Sequence, residues 1–126
     1  MPAALDRLTE DTDALVRGAA FASLADTGCQ APSAERAVRA QADPAWQVRA
    51  GAATALSAAD AEVAVPALAK ILGDPNADVR KAAVLALVRH TQSGEADTST
   101  AAARAALATA TTDSDADVRA YASRTL

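Results

Sequence analysis

Aromatic side chains are almost missing from this chain, with one Trp, one Tyr and one Phe in 126 residues. About half of the residues are hydrophobic, and much of that share is alanine, so helices are favoured and strands are not. Cysteine occurs once, at Cys29, which excludes an internal disulfide. No run of about 18 apolar residues and no charged-then-apolar leader is present, so the expectation is a cytoplasmic protein without a membrane span. Basic residues are outnumbered, 12 Lys and Arg against 16 Asp and Glu, for a net charge of −4. That balance speaks against a surface that tracks phosphates, and hence against nucleic acid as a partner. The one histidine, His90, lies far from Cys29 in the chain, and neither has a metal-ligand or nucleophile–base spacing around it. Each falls in or near a loop, and a surface position is expected for both. Gly-rich phosphate loops and His/Cys/carboxylate clusters are also absent, so no catalytic, cofactor-binding or metal-binding residue is expected, and no enzyme.

What the chain does contain is a repeat. Residues 74–87, DPNADVRKAAVLAL, recur in reduced form at 11–24 (DTDALVRGAAFASL), 43–56 (DPAWQVRAGAATAL) and 113–126 (DSDADVRAYASRTL). In every copy Asp lies five residues before Val, Arg follows Val at once, Ala comes four after it and Leu eight after. Counting from Val as position 0, positions 0, 4 and 8 with 3 and 7 make one apolar stripe at helical spacing, which predicts a core-facing helix in each copy. Asp74-Pro75 and Asp43-Pro44 read as N-cap and first helical residue, with Asp113 and Asp11 as weaker versions. The Val residues are spaced by 32, 31 and 39, and the excess of the last interval falls in the polar stretch TQSGEADTST.

In order, Leu5 and Leu8 suggest a short first helix, followed by a helix over about 13–25 that stops near Gly28. A second pair is expected over about 32–41 and 44–58. A third begins at Asp60, with Pro66 kinking its first helix or marking a later start, and ends near His90. A loop at 91–97 leads to an alanine-rich helix and a final one reaching Leu126. The units are therefore about 1–26, 32–58, 60–90 and 98–126, forming one all-α stack in which each unit touches its neighbours.

The segment VPALAKILGDPNADVRKAAVLAL and the D-x4-VR-x2-A-x3-L pattern of the other copies resemble HEAT repeats, most closely the short HEAT-like repeats of bilin (phycobilisome) lyase subunits and of many bacterial proteins. The period is shorter than the roughly 40–47 of standard HEAT and armadillo units, and ankyrin and tetratricopeptide signatures are missing. The resemblance implies a right-handed α-solenoid of about four two-helix units, with the second helix of each unit (helix B) lining the concave side. It also implies that Asp11, Arg17, Asp43, Arg49, Asp74, Arg80, Asp113 and Arg119 form a structural ladder between units rather than an anion site.

Positions 2, 5, 6 and 9 of each helix B are expected on the concave face. There Phe21, Val84, Leu85 and Val88 would make an apolar patch that marks a partner site, with Lys81 beside it, and Trp46 would add an exposed ring. The function expected is a non-catalytic scaffold or adaptor for another protein. The alternative is an accessory, lyase-like subunit that contributes a ligand groove to an enzyme. A third class, HEAT-like DNA glycosylases, would need a basic concave face with aromatic and acidic residues, which this one lacks. Val118, Ala122 and Leu126 sit in a last helix with no following unit, which leaves open a homodimer or end-to-end contact, or a longer protein.

Overall fold

The computed structural model describes residues 2–92 and 98–124, with side chains from residue 4 onward, so Leu126 and the loop at 93–97 lie outside the described residues. Eight α-helices and no strands are found among them: α1 Pro2–Leu8, α2 Ala14–Thr27, α3 Ala31–Arg39, α4 Trp46–Ala55, α5 Ala61–Ile71, α6 Ala77–Thr91, α7 Thr98–Ala110 and α8 Ala116–Ser123. Single 3₁₀ turns extend α3 over Ala40–Ala42 and α4 over Leu56–Ala58. The helices pair as α1/α2, α3/α4, α5/α6 and α7/α8. The second helices form a row in which α2 packs on α4, α4 on α6 and α6 on α8, while α3, α5 and α7 form the row behind.

The helix starts correct the expected caps. The repeated Asp is not the N-cap; the residue two further on is, at Asp13, Ala45, Asn76 and Asp115. Each Asp accepts the backbone N–H of that residue, at 2.8–2.9 Å, in a tight side-chain turn. The cap residue then takes up orphan N–H groups of the first turn, as Asn76 does for Asp78 and Val79. Pro44 and Pro75 consequently precede the cap. Gly28 closes α2 at φ 106°, a conformation that favours glycine, and its N–H bonds the Leu24 carbonyl. Pro66 neither delays nor ends α5, which begins at Ala61 and runs through it; the proline is exposed and leaves the Glu62 carbonyl without its helical donor.

The core runs along the stack instead of gathering at a centre. Position 0 is fully buried in three units (Val48, Val79, Val118), as is position 8 in Leu24, Leu56 and Leu87, joined from the back row by Leu68 and Leu107. Burying each of these leucines contributes about 2 kcal/mol. Position 4 is a buried alanine in every unit, Ala20, Ala52, Ala83 and Ala122. Val118 and Ala122 are covered by α6 and α7, and the exposed residues of α8 are alanine or polar.

Two expected surface positions prove to be buried, His90 and Cys29. His90 sits against the end of the second helix of the preceding unit, its Nε2–H donating to the Leu56 carbonyl at 2.9 Å. Cys29 is 2% exposed, and burial, helped by the charge of Asp6, pushes its thiol up to about 11, so it stays protonated at neutral pH and is a poor nucleophile. In each case the cause is the stack: a residue near a helix end is covered by the adjoining unit, which local sequence does not show.

The tightest inter-unit contact is between α2 and α4. A Cβ on Gly18 would lie 2.6 Å from the Gln47 carbonyl oxygen, and a Cβ on Gly51 would overlap the Gly18 carbonyl group. Glycine here allows backbone-to-backbone approach. Gly51→Ala should therefore destabilise the fold by about 1–3 kcal/mol in urea unfolding, although the same change at a free helical position stabilises by up to about 1 kcal/mol. A stabilised variant would contradict this close approach.

Candidate functional site

Two features are built along the second helices: an ion-pair ladder along one edge and a groove on the open face of α2, α4 and α6. The ladder is built from position 1. Arg49 donates from Nε and Nη2 to the two carboxylate oxygens of Asp74 at 2.8 and 3.3 Å, and from Nη1 to the Asp43 and Pro44 carbonyls of its own turn at 3.0 and 3.1 Å. Arg80 treats Asp113, Asp74 and Pro75 in the same way. Arg17 reaches Asp43 at 3.2 and 3.3 Å and the Asp11 and Thr12 carbonyls. One guanidinium thus fixes its own loop and clamps the next unit. In the three pairs that join units the carboxylates and forks are 10–20% exposed, so these charges are partnered where water is scarce.

The groove lies between α2, α4 and α6 and holds about 430 Å³. Ala22, Ala25, Ala82 and Ala86 leave it shallow and apolar, with Thr54 and Ser57 on α4 and its 3₁₀ turn. Leu85 stands in it 43% exposed. Charges of both signs border it: Asp26, Asp78, Lys81 and Arg89. Lys81 spans Asp78 and Asp117 at 3.8 and 3.6 Å, and Arg89 donates to the Ser57 hydroxyl at 3.1 Å.

The expected patch is only partly assembled. Leu85 and Lys81 are in the groove, but Phe21 and Val84 are buried at 3% and 0% exposure, and Val88 is half-buried against the core. Position 5 was assigned to the wrong face. At about 100° per residue it falls near 140° from Val, between the ladder Arg near 100° and position 2 near 200°, which is the side that meets the next unit. Phe21 accordingly borders a separate small cavity with Arg36, Asp43 and Val48 of the second unit. Trp46, on the first turn of α4, is 40% exposed but does not line the groove. Asp26 and Arg89, at position 10 near 280°, were missed; they continue the arc of position 6, near 240°, and that angle was the signal. Tyr121 packs on the end of the core under the Arg124 guanidinium, 4.3 Å from its ring centre.

Among the described residues no group of three or more His, Cys, Asp or Glu is placed to hold a metal ion, and no helix is long and apolar enough to cross a membrane. A row of two-helix units joined edge to edge defines an α-solenoid. The family model described as HEAT repeats matches residues 1–88 and 37–126, and the chain belongs to that family, whose members generally act as protein-interaction scaffolds. Among solved structures it is similar to a crystal structure of an engineered protein, a Northeast Structural Genomics Consortium target, with a TM-score of 0.71 and 22% identity over 94% of this chain. The chain spans 57% of the length of that neighbour, and the likeness shows the fold alone. No curated protein matches.

Asp113 gives the ladder a pH signature. Burial pushes its carboxyl up, but the hydrogen bond from Arg80, the Asp115 N–H and the charges of Arg80 and Arg119 outweigh that and hold it below the usual range. A depressed folded value means that the unfolded chain takes up the proton first. The stabilisation is complete above the unfolded aspartate value near 4 and is lost as pH falls through the lower folded value. Urea unfolding of Asp113→Asn should therefore show a deficit at pH 7 that shrinks below about pH 4. A deficit constant across that window would contradict the pairing.

Proposed function

We propose that this chain is a non-catalytic scaffold of the cytoplasm that receives a helix or extended segment of another protein in the groove of α2, α4 and α6. The observation that carries the proposal is Leu85: a large apolar side chain, 43% exposed, over an alanine floor and between charges of both signs. Such a surface gains from covering one apolar side chain and uses the rim charges to orient it. The accessory, lyase-like role would ask for a nucleophile or a free cationic cluster in the groove. Cys29 is not among the lining residues, and both cations there have partners, so the scaffold role is preferred.

A displayed peptide library selected on the immobilised chain tests this. Enriched peptides should combine an apolar residue with flanking charges, and Leu85→Glu should weaken their binding at least about tenfold. Val63→Glu, at an equally exposed residue on α5, should leave binding unchanged. No enrichment, or binding indifferent to Leu85→Glu, would overturn the proposal.

A further inference from the structure

The two ends of the stack carry matching halves of the contact that joins its units. The face that a helix B turns to the next unit consists of positions 1, 2 and 5. In the first three units these are covered: the ladder arginines, then Gly18, Ala50 and Lys81, then Phe21, Ala53 and Val84. In α8 the same positions, Arg119, Ala120 and Ser123, are exposed. Arg119 Nη1 holds the Asp113 and Ser114 carbonyls of its own turn at 2.9 and 3.1 Å, as every ladder arginine does, but its fork meets no carboxylate among the described residues. At the other end Asp11 accepts the Asp13 N–H, as every ladder aspartate does, yet no arginine side chain pairs with its carboxylate among the described residues. The face a helix B turns to the preceding unit is likewise exposed on α2: Leu15 at 64%, Ala19 and Ser23.

We propose that a second copy of this chain docks end to end, so that the α8 face of one copy stacks on the α2 face of the next with Arg119 clamping Asp11. The internal junctions show that this register fits. Position 2 of one unit meets position −1 of the following one, as Gly18 meets Gln47 and Lys81 reaches Asp117. Across copies that pair is Ala120 with Leu15, which covers the most exposed leucine among the described residues. Positions 2 and 3 would be Ala120 and Ala19, the same pair of residue types as Ala50 and Ala82 between the second and third units. Position 5 would be Ser123, small enough to lie against Ala19 and Ser23. The charge pairing and the steric fit therefore both continue the existing stack. The contact is head to tail, so each docked copy leaves a free end of each kind and association does not close on itself.

Light scattering with the full chain over a concentration series up to about 1 mM tests this. The weight-average mass should rise continuously above 12.7 kDa for the unaltered chain. Asp11→Arg and Arg119→Asp should each remain at the monomer mass, because each loses one half of the clamp. Mixed together, they should again rise above the monomer mass, since the α8 end of Asp11→Arg with the α2 end of Arg119→Asp restores the native clamp and the other pair of ends carries the same clamp with its charges exchanged. If either charge variant fails to show native helical circular dichroism, Ala120→Glu and Ala19→Glu, both exposed helical positions, replace it and should likewise hold the chain at 12.7 kDa. A monomer at every concentration, association unchanged in these variants, or a mixture that stays monomeric would overturn the proposal.

Discussion

A helical hairpin as small as the units of this chain cannot bury its own apolar face, so everything depends on what fixes one unit against the next. The guanidinium at position 1 does this. Its planar fork matches a carboxylate of the following unit, while its remaining nitrogen holds two carbonyls of its own turn. Rotating either unit would break bonds on both sides at once. The register it sets lets position 4 be alanine throughout, brings α2 and α4 into backbone contact at Gly18 and Gly51, and lets valine and leucine rows run through the stack without aromatic filling.

That arrangement explains how the fold yields a groove. Small residues on the second helices keep the open face shallow, and the units that would otherwise expose bulky residues turn them into the next unit. Leu85 escapes because position 6 points past the stacking contact towards the open side. The scaffold proposed here thus relies on the same alanine-rich composition that permits close stacking. Lys81 links the two features, reaching across the junction to Asp117 while lining the groove.

Much of the architecture was legible in the sequence because it is periodic. The Val-Arg pair placed all four second helices, and the residue types at positions 0, 4 and 8 gave their buried stripe. What escaped was set by neighbours in space. Position 5 read as concave because the apolar stripe of a single helix is about 100° wide, whereas a helix in a solenoid is covered on the back and on both sides. That is why Phe21 and Val84 are core residues, and Arg89 and Asp26 groove residues. The cap moved by two residues because the ladder aspartate already accepts the N–H of the residue two further on and, in three of the four units, an Arg of the preceding unit; Asn76, Asp13 and Asp115 are themselves legible as caps, and only Ala45 is not. His90 and Cys29 read as surface residues because each lies at a helix end, and burial there depends on neighbouring units, as the Leu56 carbonyl of the preceding unit shows for His90.

The most direct test of the ladder as the element that joins units is a double-mutant cycle at Arg49 and Asp74, followed by urea unfolding. Each alanine substitution alone leaves the other partner charged and nearly buried, and should cost about 3 kcal/mol. The carbonyl bonds of Arg49 and the N–H bond of Asp74 are lost separately in the single variants, so the cycle isolates the pair. The double variant should be less destabilised than the sum of the two by about 1–3 kcal/mol. Additive losses would mean that the arginine only closes its own turn and that the units are held together by their apolar contacts alone.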